Sequence, residues 1–210
     1  MGRDDTELYQ DQPMLTFPDL TGWEKWLADE HAGAPGLWLK VAKKGCSETT
    51  VSYAEALDVA LCFGWIDGQK RPLDDDYWLQ RFTPRKPGSK WSKINRGKAE
   101  ALIAVGRMRP AGLREVEAAK ADGRWIAAYD GQGTATVPGD LRQALDADED
   151  AAAFFATLDR GNRYAILYRI HEARKPQTRA ARIAKFVAML RDHQTVHPVP
   201  ARDHADAAQD

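Results

Sequence analysis

The spacing of apolar residues changes character once along this chain, between Thr83 and Ser92, and that change limits the folds open to it. Before it, Leu37, Leu39 and Val41 alternate with Trp38 and Lys40, the period-two pattern of a half-buried strand. QKRPL (69–73) and YWLQRFTPR (77–85) read as two further extended pieces around the acidic turn Asp74-Asp75-Asp76. Two helices interrupt this region. One carries Leu20, Trp23, Trp26 and Leu27 behind Asp19 or Thr21 as cap, and the other opens on the capping box Ser52…Glu55 and stops at Gly64. After Ser92 strand signals vanish. Pro110 starts a helix that Asp122-Gly123 closes, and Ile183, Phe186, Val187 and Leu190 fall at i, i+3, i+4 and i+7. The expectation is an α+β fold, with a small antiparallel sheet and helices in the N-terminal part and an all-helical C-terminal part.

At 210 residues, 43% of them apolar, the chain can build one large core or two small ones. The small polar run DGQGTATVPGD (130–140) is the best linker. The expected organisation is a flexible N-terminus over 1–16, an α+β domain over 17–129, a linker over 130–140, a helical region over 141–193 and a flexible tail over 194–210. No apolar run of about 18 residues predicts a membrane span, and the acidic, polar N-terminus carries no export pattern, so the expected location is cytoplasmic. Cys46 and Cys62 match neither a CxxC nor a zinc spacing and read as free thiols.

Charge is distributed unevenly. From Arg81 to Lys98 there are seven basic residues and no acidic one, interleaved with Trp91, Phe82, Pro84 and Pro87. Such a segment suits an anion: Arg81, Arg85 and Lys90 as a clamp, Trp91 or Phe82 as a stacking face, Ser89 or Ser92 as donors. Arg81 and Arg85 lie four apart on an extended piece, which would put them on one side, with Trp91 returning toward them after Pro87-Gly88. The candidate ligand site is therefore Trp65, Asp67, Tyr77, Arg81, Arg85, Ser89 and Trp91. A second basic surface, Arg174, Lys175, Arg179, Arg182 and Lys185, lies in a stretch (160–191) with nine basic residues against Glu172 alone. It could track a phosphate-rich partner, and the rival reading is neutralisation by the acidic 140–150 region. Asp67, in GWIDG, is the weak candidate for proton transfer, with His31 behind it. The histidines form no metal-ligand grouping with Cys or carboxylates, and no phosphate loop, GxSxG or HExxH is present, so neither cofactor nor metal is expected.

The words GLWLK-x-x-KK (36–44), SYAEALDVALCFGWIDG (52–68), RFTPRKPGSKWSKIN (81–95) and GRMRPAGL (106–113) resemble the YdeI/OmpD-associated (bacteriocin-protection) family, and NRYAILYRIHEARKPQTRAARIAKFVAML (162–190) looks like its C-terminal helical region. The resemblance implies a bacterial, soluble α+β protein tied to stress or antimicrobial-peptide tolerance. It implies no catalytic residues. The function expected is non-enzymatic binding of an anionic small molecule, lipid head group or nucleic acid; the alternative is an enzyme using Asp67 with Arg81 or Arg85 near Trp65.

Overall fold

The structure, a computed structural model, describes residues 7–198. The chain divides into two compact units, Met1–Ala128 and Tyr129–Asp210.

In the first unit the strands are β1 (Leu8–Tyr9), β2 (Gln12–Leu15), β3 (Leu37–Ala42), β4 (Trp65–Pro72) and β5 (Tyr77–Pro84). They form one sheet in the order β1-β2-β3-β5-β4. The helices are α1 (Leu20–Glu30), α2 (Tyr53–Cys62), α3 (Lys93–Ala104) and α4 (Pro110–Ala121). Local chemistry accounts for their ends. Asp19 accepts the Gly22 amide at 2.9 Å, Ser52 and Glu55 close a reciprocal capping box, Pro110 opens α4, and Gly64 and Gly123 carry the positive φ that ends α2 and α4.

The sheet is mixed, not antiparallel throughout as expected. β3, β5 and β4 are antiparallel neighbours, but β2 pairs with β3 in parallel, Met14 opposite Trp38 and Leu15 opposite Leu39. Parallel neighbours need a long crossover, and the chain from Thr16 to Gly36, with α1 in it, supplies one. Two strands lie within the segment 1–16 that was expected to be flexible. β1 and β2 make a hairpin whose two turn residues, Gln10 and Asp11, both have positive φ (50° and 59°), the geometry of a type I′ turn, here without glycine. Residues 1–6 and 199–210 lie outside the described residues.

Antiparallel partners share a face, so register sorts the side chains. Leu37 with Phe82, Leu39 with Gln80 and Val41 with Trp78 point one way, and Trp38 with Arg81 and Ala42 with Tyr77 the other. The first face joins the main core, where Trp23, Leu27, Leu57, Leu61, Trp65, Phe82 and Trp91 are buried. The Trp23 indole donates to the Ala56 carbonyl at 3.0 Å, which satisfies its one polar atom in the core. The second face holds a smaller cluster of Met14, Trp38 and Leu79 under Tyr9. β4 carries an irregularity between Asp67 and Lys70, and the buried Gln80 amide fills it by donating to the Gly68 and Gln69 carbonyls.

The elements of the second unit are α5 (Gly139–Asp146), α6 (Glu149–Thr157), α7 (Arg160–His171) and α8 (Pro176–Arg191). Helix α8 lies against the other three, and Leu141, Phe155, Ile166, Ile170, Phe186 and Leu190 form its core. The expected linker 130–140 belongs to this unit: Ala135 and Val137 pack against that core, and Gly139 already begins α5. Among the described residues no helix is long and apolar enough to cross a membrane.

Candidate functional site

The residues expected to share one pocket are placed apart. Trp65 is 1% exposed, and its indole donates to the His31 carbonyl at 3.0 Å. Trp91 is equally buried, edge-on to Trp125 with ring centroids 4.8 Å apart. Arg85 stands over Trp91 with its guanidinium carbon 3.5 Å from the ring centre, is 6% exposed, and donates from Nη1 to the Lys90 carbonyl at 3.1 Å. That pair is packed into the fold. Ser89 closes the turn before Trp91 by accepting the Lys86 amide at 2.9 Å.

Asp67 and Arg81 take opposite faces of the sheet. Asp67 is registered with Phe82, whereas Arg81, one residue earlier, is registered with Trp38, and side chains on a strand alternate. Arg81 Nε accordingly donates to Gln12 at 3.0 Å, and Tyr77, on the same face as Arg81, donates to Glu48 at 2.7 Å. In the second unit, Arg179 Nε and Nη2 donate to both carboxylate oxygens of Asp140, Arg182 donates to the Arg169 carbonyl, and Arg191 pairs with Asp148. Arg174, Lys175 and Lys185 are exposed. The acidic 140–150 region thus absorbs part of the cationic stretch.

The arrangement with a chemical character of its own lies at Trp78. This residue stands on the helix-facing side of β5, half-buried, between Val41 of β3 and Pro72 of β4. Ala42, Lys43, Lys44, Lys70, Pro72 and Trp78 line an open groove of about 640 Å³. That is the size of many small-molecule sites. Three ammonium groups and no carboxylate line it. Lys70 Nζ stands 4.0 Å over the Trp78 ring, and Lys43 Nζ donates to the Asp74 carbonyl at 2.6 Å.

Asp67 reaches this groove indirectly. The Tyr53 ring sits 6.0 Å from that of Trp78, and its hydroxyl donates to Asp67 at 2.8 Å. Burial first, and then the Asp67 carboxylate, pushes the Tyr53 hydroxyl pKa up, so it stays protonated and keeps donating. Asp67 therefore orients the aromatic neighbour of Trp78. Sequence reasoning missed Trp78, Lys43, Lys44 and Lys70. The available signal was parity: Trp78, Gln80 and Phe82 share a face, and the lysine pair directly follows the strand that pairs with them.

The fold is that of an α+β protein in two units, a mixed sheet with helices followed by a group of four helices. Residues 134–193 match the family described as Bacteriocin-protection, YdeI or OmpD-Associated, so the chain carries a domain of that family in its second unit. Residues 15–115 match a different family, a domain of unknown function (DUF8412). The four words of the first unit that resembled the bacteriocin-protection family thus all fall within this second match. No curated protein and no solved structure matches the chain.

Proposed function

We propose that this is a non-enzymatic binding protein for an anionic ligand that carries a flat ring, seated on Trp78 between Lys43, Lys44 and Lys70. The observation that carries this reading is a half-buried indole in a groove lined by three lysines and no carboxylate. Lys70 covers the indole at present, but an exposed cation–π contact is worth only about 0.5–1 kcal/mol. Stacking of a nucleobase on an aromatic side chain contributes about 1–3 kcal/mol. A nucleotide ring would therefore displace the ammonium, which is then free to pair with its phosphate. Single-stranded nucleic acid is the polymer of that chemistry; duplex, with its bases already stacked, is not. The bacteriocin-protection description of the family in the second unit supports reading such binding as part of stress or antimicrobial-peptide tolerance. An enzyme built on Asp67 and Arg81 has less support, because the two lie on opposite faces and Asp67 is engaged by Tyr53.

Anisotropy titrations should compare a labelled single-stranded oligonucleotide with duplex, with a competing mononucleotide and with ring-free tripolyphosphate. The single strand and the nucleotide are expected to bind, and Trp78→Ala to weaken them by roughly 5- to 150-fold, the equivalent of about 1–3 kcal/mol. Three lysine contacts predict a slope of log K on log salt near −2, at about −0.7 per contact for single strands. Tripolyphosphate binding as tightly as the nucleotide would remove the ring from the proposal. No binding of any probe at low salt and tens of micromolar, roughly the range of nonspecific binders, would remove the site.

A further inference from the structure

We infer that Lys70 sets the specificity of the Trp78 groove, an inference that rests on reading that groove as the ligand site. Its ammonium stands over the indole and competes with any ring that would stack there. A ring that carries its own anionic group, as in a nucleotide, offers the displaced ammonium a partner. An uncharged ring, as in a nucleoside or a free base, offers none and is excluded.

A break in strand register puts Lys70 in this position. Asp67 pairs with Phe82 and Lys70 with Gln80, so three steps along β4 match two along β5. One residue of β4 is therefore extra, the count of a β-bulge. Residues three apart on a regular strand point to opposite faces. The extra residue cancels that alternation, and Lys70 shares the helix-facing side with Asp67, Gln80 and Trp78. Because Trp78 pairs with Pro72, Lys70 is its diagonal neighbour across the two strands, a separation that a long side chain spans. Its Nζ accordingly stands 4.0 Å from the centre of the indole. The bulge is held from inside. Gln80 is 3% exposed, and its amide donates to the Gly68 carbonyl at 3.0 Å and the Gln69 carbonyl at 3.3 Å. A buried amide is costly unless bonded, so Gln80 ties the extra residue in place and fixes where Lys70 emerges. Lys43, by contrast, is held by the Asp74 carbonyl. A competitor differs in sign from a plain phosphate clamp. A clamp raises affinity for an anion and leaves an uncharged ring unaffected, whereas a competitor weakens the uncharged ring by the worth of the contact it must break. Lys70 is exposed, and an exposed cation–π contact corresponds to about two- to fivefold in affinity.

The test is an NMR titration of the full chain with adenosine and with adenosine monophosphate, followed at the Trp78 indole signal, which is assigned by its loss in Trp78→Phe. Wild type should bind the monophosphate roughly tenfold or more tighter than adenosine, the scale of a charge-assisted hydrogen bond. Lys70→Ala should move the two ligands in opposite directions: adenosine tighter by about two- to fivefold, and the monophosphate weaker by about twofold or more. Lys70→Gln, uncharged and long, should behave as the alanine variant does. Lys70→Arg keeps the charge and stacks on aromatic faces, so it should still exclude adenosine. Adenosine bound no more tightly by Lys70→Ala than by wild type would overturn the inference and leave Lys70 a simple clamp in a groove that still binds. A monophosphate affinity unchanged by the substitution would overturn it too. Failure of the groove itself looks different: neither ligand shifts the Trp78 signal in wild type or in any variant, and both readings fall together. Far-UV circular dichroism checks that each variant keeps its fold.

Discussion

Replacing Arg85 with alanine should destabilise the first unit, and the size of the loss follows from what the guanidinium touches. Its central carbon lies 3.5 Å from the centre of the Trp91 ring at a position where both residues are almost wholly buried. A desolvated cation–π contact of this kind contributes about 2 kcal/mol. The hydrogen bond from Nη1 to the Lys90 carbonyl, charge-assisted and out of water, adds about 1.5–3 kcal/mol. The truncation also leaves one side of Trp91 without packing atoms, so a total near 3–5 kcal/mol is expected. All seven tryptophans fall within Met1–Ala128, so intrinsic tryptophan fluorescence during urea unfolding reads the first unit alone. With a urea dependence of about 1–3 kcal/mol per molar, the midpoint should fall by at least about 1 M. Arg85→Lys keeps the charge but not the planar stack and should fall between the two. An Arg85→Ala midpoint within about 0.5 kcal/mol of wild type, the range of ordinary surface changes, would refute this assignment and return Arg85 to the ligand-reading role its sequence context suggested.

Gly112→Ala should destabilise the first unit by roughly 1–3 kcal/mol in the same assay, although alanine favours an exposed helix interior by about 1 kcal/mol, because its Cβ would meet the Cys62 and Leu61 carbonyl oxygens at 2.3 and 2.7 Å. A neutral or stabilising result would show that α4 moves off α2 freely. A thiol reagent at neutral pH should modify Cys46 rapidly and Cys62 only after unfolding, since Cys62 is buried and its burial raises the thiol pKa; two fast equivalents would contradict that. In the second unit, hydrogen bonds from Arg179 and Arg191 hold the Asp140 and Asp148 carboxyls below the usual range. A lowered folded-state pKa gives stability that is complete above the unfolded value of about 3.9 and is lost as pH falls through the folded one. The melting temperature followed by the helical circular dichroism signal should therefore drop from about pH 4 downward, and the Asp140→Asn, Asp148→Asn double variant should drop less steeply than wild type. An unchanged pH dependence in the double variant would show that these ion pairs are inert.

Elements whose cause is local were legible from the sequence. The capping box at Ser52 and Glu55, the stop at Gly64 and the apolar stripe of α8 need no partner from elsewhere in the chain, and each appears where its residues indicate. The N-terminal hairpin was not legible. Its strands are only two and four residues long, too short for a period, and its turn places Gln10 and Asp11, not glycine, in the left-handed region. Pairing of β2 beside β3 depends on how α1 packs, which is a tertiary matter. The segment 130–140 is the opposite case. Its small residues look like a linker, yet Ala135 and Val137 meet the second core directly, where a small side chain packs as well as a large one.

The candidate site shows why charge and aromatic content in sequence do not locate a binding surface. A cation is available to a ligand only if no carboxylate, carbonyl or ring from another segment has claimed it, and the claimants here come from afar: Asp140 is 39 residues from Arg179, and Asp148 is 43 from Arg191. Arg85 and Trp91, close in sequence, looked like a clamp and a stacking face for a ligand, and they use that affinity on each other inside the fold. The lysines around Trp78 look ordinary in sequence because they come from β4 and from the residues after β3, and only pairing to β5 gathers them. Alternation along β5 already separates Trp78, Gln80 and Phe82 from Tyr77, Leu79 and Arg81. Which set Asp67 joins is decided by register alone, because a slip of one residue moves every side chain of a strand to the other face. With Asp67 opposite Phe82, its carboxylate meets Tyr53 beside the groove and has the sheet between it and Arg81.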